Sequence, residues 1–273
     1  MSDKLVSCDW LAEHMTDEDV RVVEVDVDAD AYSEGHIPGA VGWNWTTQLQ
    51  DATERDILTR ASFEALLGAS GIDNESHVVL YGDNNNWFAA YAFWLLELYG
   101  HQRISLLDGG RAKWLTEGRA TMTDDGVASS VSYTAQDLDR SQRAYREDVL
   151  AAVAAGTQMV DVRSPAEFSG DVIAPPGMSE TAQRAGHIPG ASNIPWARAV
   201  NEDGTFRSAD ELRQIYGDAG IADGETTIVY CRIGERSSHS WFVLRHILGY
   251  PDVKNYDGSW TEYGSLIGAP IEK

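Results

Sequence analysis

The chain has 273 residues, 43 acidic against 21 basic, giving a net charge of −22, and is 43% hydrophobic and 10% aromatic with nine Trp. That is enough for about two packed domains, which excludes wholesale disorder. An acidic balance with pI near 4.5 also excludes the basic stripe of a nucleic-acid binder and a polybasic contact with anionic lipid.

Basic charge is carried mostly by Arg. Lys is confined to Lys4, Lys113, Lys254 and Lys273, a bias that either a salty habitat or GC-rich coding produces. The opening MSDKLVSCDW lacks the basic and long apolar regions of a secretory signal. The most apolar stretch, Trp87 to Leu98, is interrupted by Glu97 and is far shorter than the ~20 residues of a membrane span. Without a signal, Cys8 and Cys231 read as reduced thiols. These features lead us to expect a soluble cytoplasmic protein with no membrane contact.

The chain repeats itself. GHIPGA occurs at Gly35–Ala40 and again at Gly186–Ala191, and Ser70–Gly82 aligns with Ala219–Cys231 at an offset of 149. The same offset pairs Gly100 with Gly249, Asp108-Gly109 with Asp257-Gly258, and Trp114 with Tyr263. So long a period indicates a duplicated domain rather than a solenoid. We expect an N-terminal domain over 1–118, a linker over 119–145 and a C-terminal domain over 146–273. The polar stretch Arg119–Arg146 is read as linker plus the first strand of the second half. Ser169–Arg184, an insertion present only in the second half, is read as an ordered loop marked by Pro and Gly.

In chain order, the second half predicts a helix at Asp148–Ala155, strands at Gln158–Val162 and Ala191–Ile194, and an amphipathic helix at Ser208–Gly217. That helix turns Leu212, Ile215 and Tyr216 to one face. The β-branched run Thr226–Tyr230 suits a buried parallel strand. Ser237–Leu248 predicts a helix with Trp241, Leu244 and Leu248 inward, and Val253–Asn255 a last strand. Alternating short strands and helices imply an α/β fold, each half a mostly parallel sheet flanked by helices.

Between the strand and helix of the second half lies Cys231-Arg232-Ile233-Gly234-Glu235-Arg236-Ser237. Loops at the C-terminal ends of such strands are where α/β sheets bind ligands, and unpaired amides at a helix start favour an anion. Gly234 lets the backbone curl, Ser237 suits an N-cap, and Arg232 and Arg236 offer forked donors to an oxyanion. The same groups are expected to lower the Cys231 thiol from its ordinary value of about 8.5. At the position matching Cys231 the first half has Gly82, followed by Asp83-Asn84-Asn85-Asn86-Trp87. With neither thiol nor arginine, that half is expected to be catalytically silent.

These motifs resemble the two-domain sulfurtransferases of the rhodanese family over essentially the whole chain. Tyr32–Ala40 is similar to the family's N-terminal signature and Asn255–Trp260 to its C-terminal one, and a Cys loop only in the second half is its usual arrangement. The loop Cys231–Ser238 resembles the bacterial branch assigned as thiosulfate sulfurtransferases. The resemblance implies two tandem rhodanese-like domains and a double displacement. Cys231 takes the outer sulfur of thiosulfate as a persulfide, sulfite leaves, and cyanide or a thiol acceptor removes the sulfur. It implies amides of Ile233, Gly234, Glu235 and Arg236 around the persulfide, with Arg236 and Arg232 holding the donor's sulfonate. In one departure, Glu167 occupies the place of a substrate-binding arginine of the animal enzymes; Arg163 and Arg184 are the possible substitutes.

Related folds that use a Cys-loop-Arg cradle for phosphate have five residues between Cys and Arg, whereas Cys231 and Arg236 enclose four, which disfavours a phosphatase. A 3-mercaptopyruvate sulfurtransferase, whose loop resembles a neutral Cys-Gly-Ser-Gly-Val-Thr, and a persulfide carrier serving a partner protein are the alternatives. His36 and His187, in equivalent turns of both halves, are expected to make structural hydrogen bonds. His239 could form a dyad with Cys231, and Trp260 could wall the site or pack in the core. No zinc-spaced cluster or dinucleotide loop occurs, so no cofactor or metal is expected. A monomer is expected, because the repeat supplies internally the pairing that dimers provide.

Overall fold

In a computed structural model the chain is described at residues 4–124, 126, 128–175, 177 and 181–273. It divides into two compact units, Met1–Asp139 with Asn201–Phe206, and Arg140–Val200 with Arg207–Lys273.

The first unit holds β1 (Leu5–Val6), β2 (Val20–Asp26), β3 (Val41–Asn44), β4 (His77–Tyr81) and β5 (Ile104–Leu107) in the order β1-β5-β4-β2-β3, all parallel. The second holds β6 (Gln158–Asp161), β7 (Ser192–Asn193), β8 (Thr227–Tyr230) and β9 (Val253–Tyr256) in the order β7-β6-β8-β9, again parallel. In each sheet the chain runs outward in both directions from one adjacent pair, β2/β4 or β6/β8. The C-terminal ends of that pair flank the crevice where open α/β sheets bind ligands.

The parallel α/β expectation holds in both units. Thr227–Tyr230 is buried throughout, as a β-branched run with helices on both faces requires. The amphipathic helix spans Ala209–Asp218, capped by Ser208, with Leu212 and Tyr216 buried. Two expectations change. The helix after the Cys loop starts earlier, at Glu235, and after Phe242 widens into a π turn over Val243–Ile247. The linker also carries no regular strand among its described residues. A single parallel bridge, Arg143 to Asn255, with Ala144 N–H donating to Asn255 O at 3.0 Å, is all that corresponds to β1. Of the insertion Ser169–Arg184, residues 176 and 178–180 lie outside the described residues.

The two GHIPGA turns are built alike. His36 Nδ1 lies 3.0 Å from Tyr32 O and His187 Nδ1 2.8 Å from Phe168 O. Each imidazole stacks on the ring of the residue whose carbonyl it meets, with centroids at 3.8 and 3.5 Å. The next amide in each turn, Ile37 or Ile188, donates to the hydroxyl of Tyr81 or Tyr230 at the end of the central strand, at 2.9 and 3.1 Å. Both histidines thus make the hydrogen bonds that their occurrence in both halves leads one to expect.

Candidate active site

β8 ends at Tyr230, and the chain turns through Cys231–Gly234 into the helix Glu235–Phe242. Gly234 makes the turn possible. It has φ +107, and a Cβ on it would press against Asp257, a backbone state and an approach open to glycine. Gly234, not Ser237, is the N-cap. Ser237 lies inside the first turn, where its hydroxyl bonds Gly234 O at 3.0 Å and Asn255 Oδ1 at 2.7 Å.

Cys231 is fully buried. Its Sγ accepts the Gly234 N–H at 3.1 Å and donates to Glu235 Oε2 at 3.2 Å. Behind it, Cys231 N–H donates to Ser259 Oγ at 3.1 Å, and Trp260 N–H donates to Cys231 O at 3.0 Å. Ser259 adopts φ +52, a left-handed state costly for a side chain with a Cβ. The hydroxyl held there also bonds Tyr256 O at 2.7 Å and comes within 3.9 Å of Sγ.

Burial pushes the Cys231 thiol up and the Glu235 carboxylate adds to that, outweighing Arg236 and the Ser237 and Gly234 amides, which pull it down. This reverses the expected lowering. Arginines and helix start are present, but loss of water around the thiolate costs more than they return.

Arg236 does not stand open to an anion. Its Nη1 and Nη2 each donate to a Glu167 oxygen at 3.0 Å, and its Nε lies 3.6 Å from Glu235 Oε1. Glu167 belongs to the helix Pro165–Ser169 that follows β6, so the pair bridges the β6/β8 switch point. A capping box fixes Glu167, its Oε2 accepting Ser164 N–H at 3.0 Å and Ser164 Oγ–H at 2.9 Å. Burial works to raise this carboxyl, but Arg236 and Ser164 together hold it below its ordinary range. Arg232 and Ile233 are buried in the same loop, and Arg232 O accepts the Thr261 N–H at 3.0 Å.

The two possible substitutes for the departed arginine are engaged elsewhere. Arg163 bonds both Asp161 oxygens and Gly186 O, while Arg184 donates to the carbonyls of Tyr263, Gly264, Leu266 and Ala269. Trp260 belongs to the core of this unit. His239 sits edge-on to Trp196 with burial pushing it down to about 3, a value unsuited to a base at neutral pH.

The corresponding loop of the first unit has lost each of these groups. At the offset of 149, Gly82 stands for Cys231, Asn86 for Glu235, Trp87 for Arg236 and Gly110 for Ser259. Asn84, Asn85 and Asn86 take φ +51, +53 and +62. The Asn86 amide fills the turn, accepting Gly82 N–H at 3.0 Å and donating to Leu107 O at 2.7 Å. Gly82 lies so close to β2 that a Cβ on it would run into the Val25 carbonyl oxygen.

The model of the rhodanese-like domain matches residues 7–117 and 146–266. The chain belongs to the rhodanese family. It is 56% identical to a Haloferax volcanii protein that carries the provisional name thiosulfate sulfurtransferase, over 99% of this chain and 96% of that one. It is 52% identical to the sulfur carrier protein TtuD of Thermus thermophilus, over 98% and 96%. Among solved structures it superposes on the anaerobic ergothioneine biosynthesis enzyme from Chlorobium limicola, bound to trimethyl histidine, with a TM-score of 0.88 and 25% identity. That superposition covers 99% of this chain and 70% of that one. These rhodanese domains thus make the chain a sulfurtransferase-family protein. No helix among the described residues is long and apolar enough to cross a membrane, and no group of three or more acidic, Cys or His side chains among them could hold a metal ion.

Proposed function

We propose that the protein is a thiosulfate sulfurtransferase working through a persulfide on Cys231, with the catalytic work in residues 146–273 and the domain over 1–118 silent. The observation that carries this reading is the cradle of Cys231. A thiol receives an amide hydrogen bond at 3.1 Å where a parallel strand feeds a helix start, the place where preorganised dipoles stabilise developing sulfur anion.

In the first half-reaction Cys231 Sγ bonds to the outer sulfur of thiosulfate, the S–S bond of the donor breaks, and sulfite leaves with the electron pair. The thiol proton is lost, leaving an anionic persulfide. In the second, cyanide or a thiol acceptor takes the outer sulfur and the Cys231 thiolate returns. The amides of residues 233–236, with Arg232 and Arg236, are assigned to the sulfur anion and the donor's sulfonate. Because Glu167 already engages Arg236, the donor reaches that guanidinium in competition with a carboxylate.

That competition favours a second reading, a carrier loaded by another protein's persulfide. Such transfer needs no sulfonate clamp, and it is supported by the 52% identity to a sulfur carrier.

Thiocyanate formation from thiosulfate and cyanide, run beside 3-mercaptopyruvate with wild type and Cys231→Ala, tests the assignment. Turnover with thiosulfate that vanishes in the variant is expected. Preference for mercaptopyruvate overturns the donor, and a Cys231 persulfide without turnover from either donor selects the carrier.

A further inference from the structure

We infer that Glu235 is the proton acceptor for Cys231, taking the thiol proton through Oε2 as Sγ attacks the sulfur donor. The inference rests on reading Cys231 as the nucleophile and assigns the chemical task that the loop arginines do not perform.

Three observations carry it. First, the thiol and the carboxylate are in direct contact, Sγ donating to Oε2 at 3.2 Å, and both residues are almost wholly buried, 0% and 3% exposed. A proton leaving Sγ therefore has an acceptor inside the site. Second, Gly234 N–H points at the same sulfur from 3.1 Å. Sγ thus holds a donor for its developing negative charge and an acceptor for its proton, the arrangement of an activated nucleophile. Third, the duplicated unit has lost the acid and the thiol together. Asn86, which cannot accept a proton, stands where Glu235 does and closes on the amide of Gly82.

The groups facing Glu235 fit the task. Arg236 of its own helix lies 3.6 Å from the other oxygen and is itself held by Glu167 from the helix after β6. The nearby Asp257, beyond β9, is paired with Arg143 at 2.8 Å. The Arg236 guanidinium thus approaches Oε1, while Oε2 is the oxygen that meets the thiol. On attack the Sγ–H bond breaks and its proton goes to Oε2. The new S–S bond forms as the donor's S–S bond breaks, and sulfite departs with the electron pair. The proton then passes to sulfite or water, restoring the carboxylate.

The test uses the full chain with two donors, thiosulfate and methyl methanethiosulfonate. The latter is a small neutral reagent that transfers a methylthio group to sulfur and releases methanesulfinate, so it reads proton removal without sulfonate recognition. Rates of mass gain on the Cys231 peptide are followed across pH for wild type, Glu235→Gln and Glu235→Asp. Expected are wild-type rates nearly flat around neutral pH, because thiol with carboxylate and thiolate with carboxylic acid hold the same proton count. Glu235→Gln should be slower by about 10²-fold near pH 7, with a rate rising tenfold per pH unit. Glu235→Asp should be slower than wild type but still flat, which also covers the case of a Gln variant that does not fold.

A Glu235→Gln variant as fast as wild type or faster overturns the inference; that is the result if the carboxylate merely repels the thiolate. An Asp variant as steep in pH as Gln, or a wild-type Cys231 that methyl methanethiosulfonate never labels, overturns it equally. No persulfide from thiosulfate alongside normal methylthiolation refutes the donor assignment alone, and the methylthiolation rates then decide the role of Glu235.

Discussion

Glu167 and Arg236 form a two-point ion pair, each guanidinium nitrogen 3.0 Å from a different carboxylate oxygen, with both side chains almost wholly buried. The pair joins the helix after β6 to the helix after β8 and fixes the wall beside Cys231. Removing one member of such a pair leaves an uncompensated buried charge, at a cost of about 3–5 kcal/mol.

Glu167→Gln therefore separates stability from donor recognition. Urea unfolding is expected to show a loss of about 3 kcal/mol, while KM for thiosulfate falls because Arg236 no longer answers to a carboxylate. The stability effect depends on pH in a defined direction. The Glu167 carboxyl is held below its ordinary value, so its contribution is present above the unfolded value of about 4.3 and is lost as pH falls through the folded one. The wild-type advantage over Glu167→Gln should shrink below about pH 4. An unchanged KM would show that Arg236 does not meet the donor.

Asp26 has the opposite sign. Burial pushes it up to about 8, with the Glu24 carboxylate adding to the rise and the Asp83 amide opposing it. A carboxyl whose folded value lies above its unfolded one contributes stability below about 3.9 and loses it as pH rises, completely so past the folded value. Asp26→Asn stays neutral throughout. It should match or trail wild type at pH 5 and exceed it at pH 9 by about 2–4 °C in Tm for each kcal/mol gained. A Tm difference independent of pH would refute the reversal.

Ser259 combines backbone strain with a hydrogen bond that the Cys231 amide needs. Ser259→Ala keeps φ +52 unfavourable and leaves the buried N–H unpaired, a loss of about 1–3 kcal/mol. Ser259→Gly loses the same hydroxyl but relieves the dihedral, by about 1 kcal/mol. Urea midpoints should therefore fall in the order wild type, Ser259→Gly, Ser259→Ala. Reversal of the last two would show that the dihedral carries no strain.

His36→Ala and His187→Ala each remove a stacked ring and a hydrogen bond to a carbonyl. Each should cost about 1–3 kcal/mol of stability and leave the rate of sulfur uptake by folded protein unchanged. A selective loss of uptake in His187→Ala would give that histidine a part in the chemistry.

The strands and turns were legible because their determinants are local. The run Thr226–Tyr230 and the paired GHIPGA turns carry their own period and glycines, and the offset of 149 brought the Cys loop into contrast with its empty counterpart. The partners of the loop were not legible. Glu167 lies 69 positions from Arg236, and only the fold joins them, although its place where the family's pattern has an arginine was a visible signal. The direction of the Cys231 shift is not legible either, because adjacent cations can be counted in a sequence and burial cannot. Ser237 suits a cap by residue type, while Gly234 does that work by conformation. Ser259 could have been found, since the repeat sets it against Gly110, a glycine with φ +55.

The crowding of Gly82 against Val25 bars a thiol from the first loop as that loop is built. Restoring a thiol there takes one codon in principle, yet the side chain would strike the carbonyl of the neighbouring strand, and the three left-handed asparagines would still shape the turn for an amide plug. A Gly82→Cys variant must shift strand and loop together before its side chain fits the turn. The two halves of the repeat thus hold equivalent turns by different means, an amide side chain in the first and a thiol facing a carboxylate in the second.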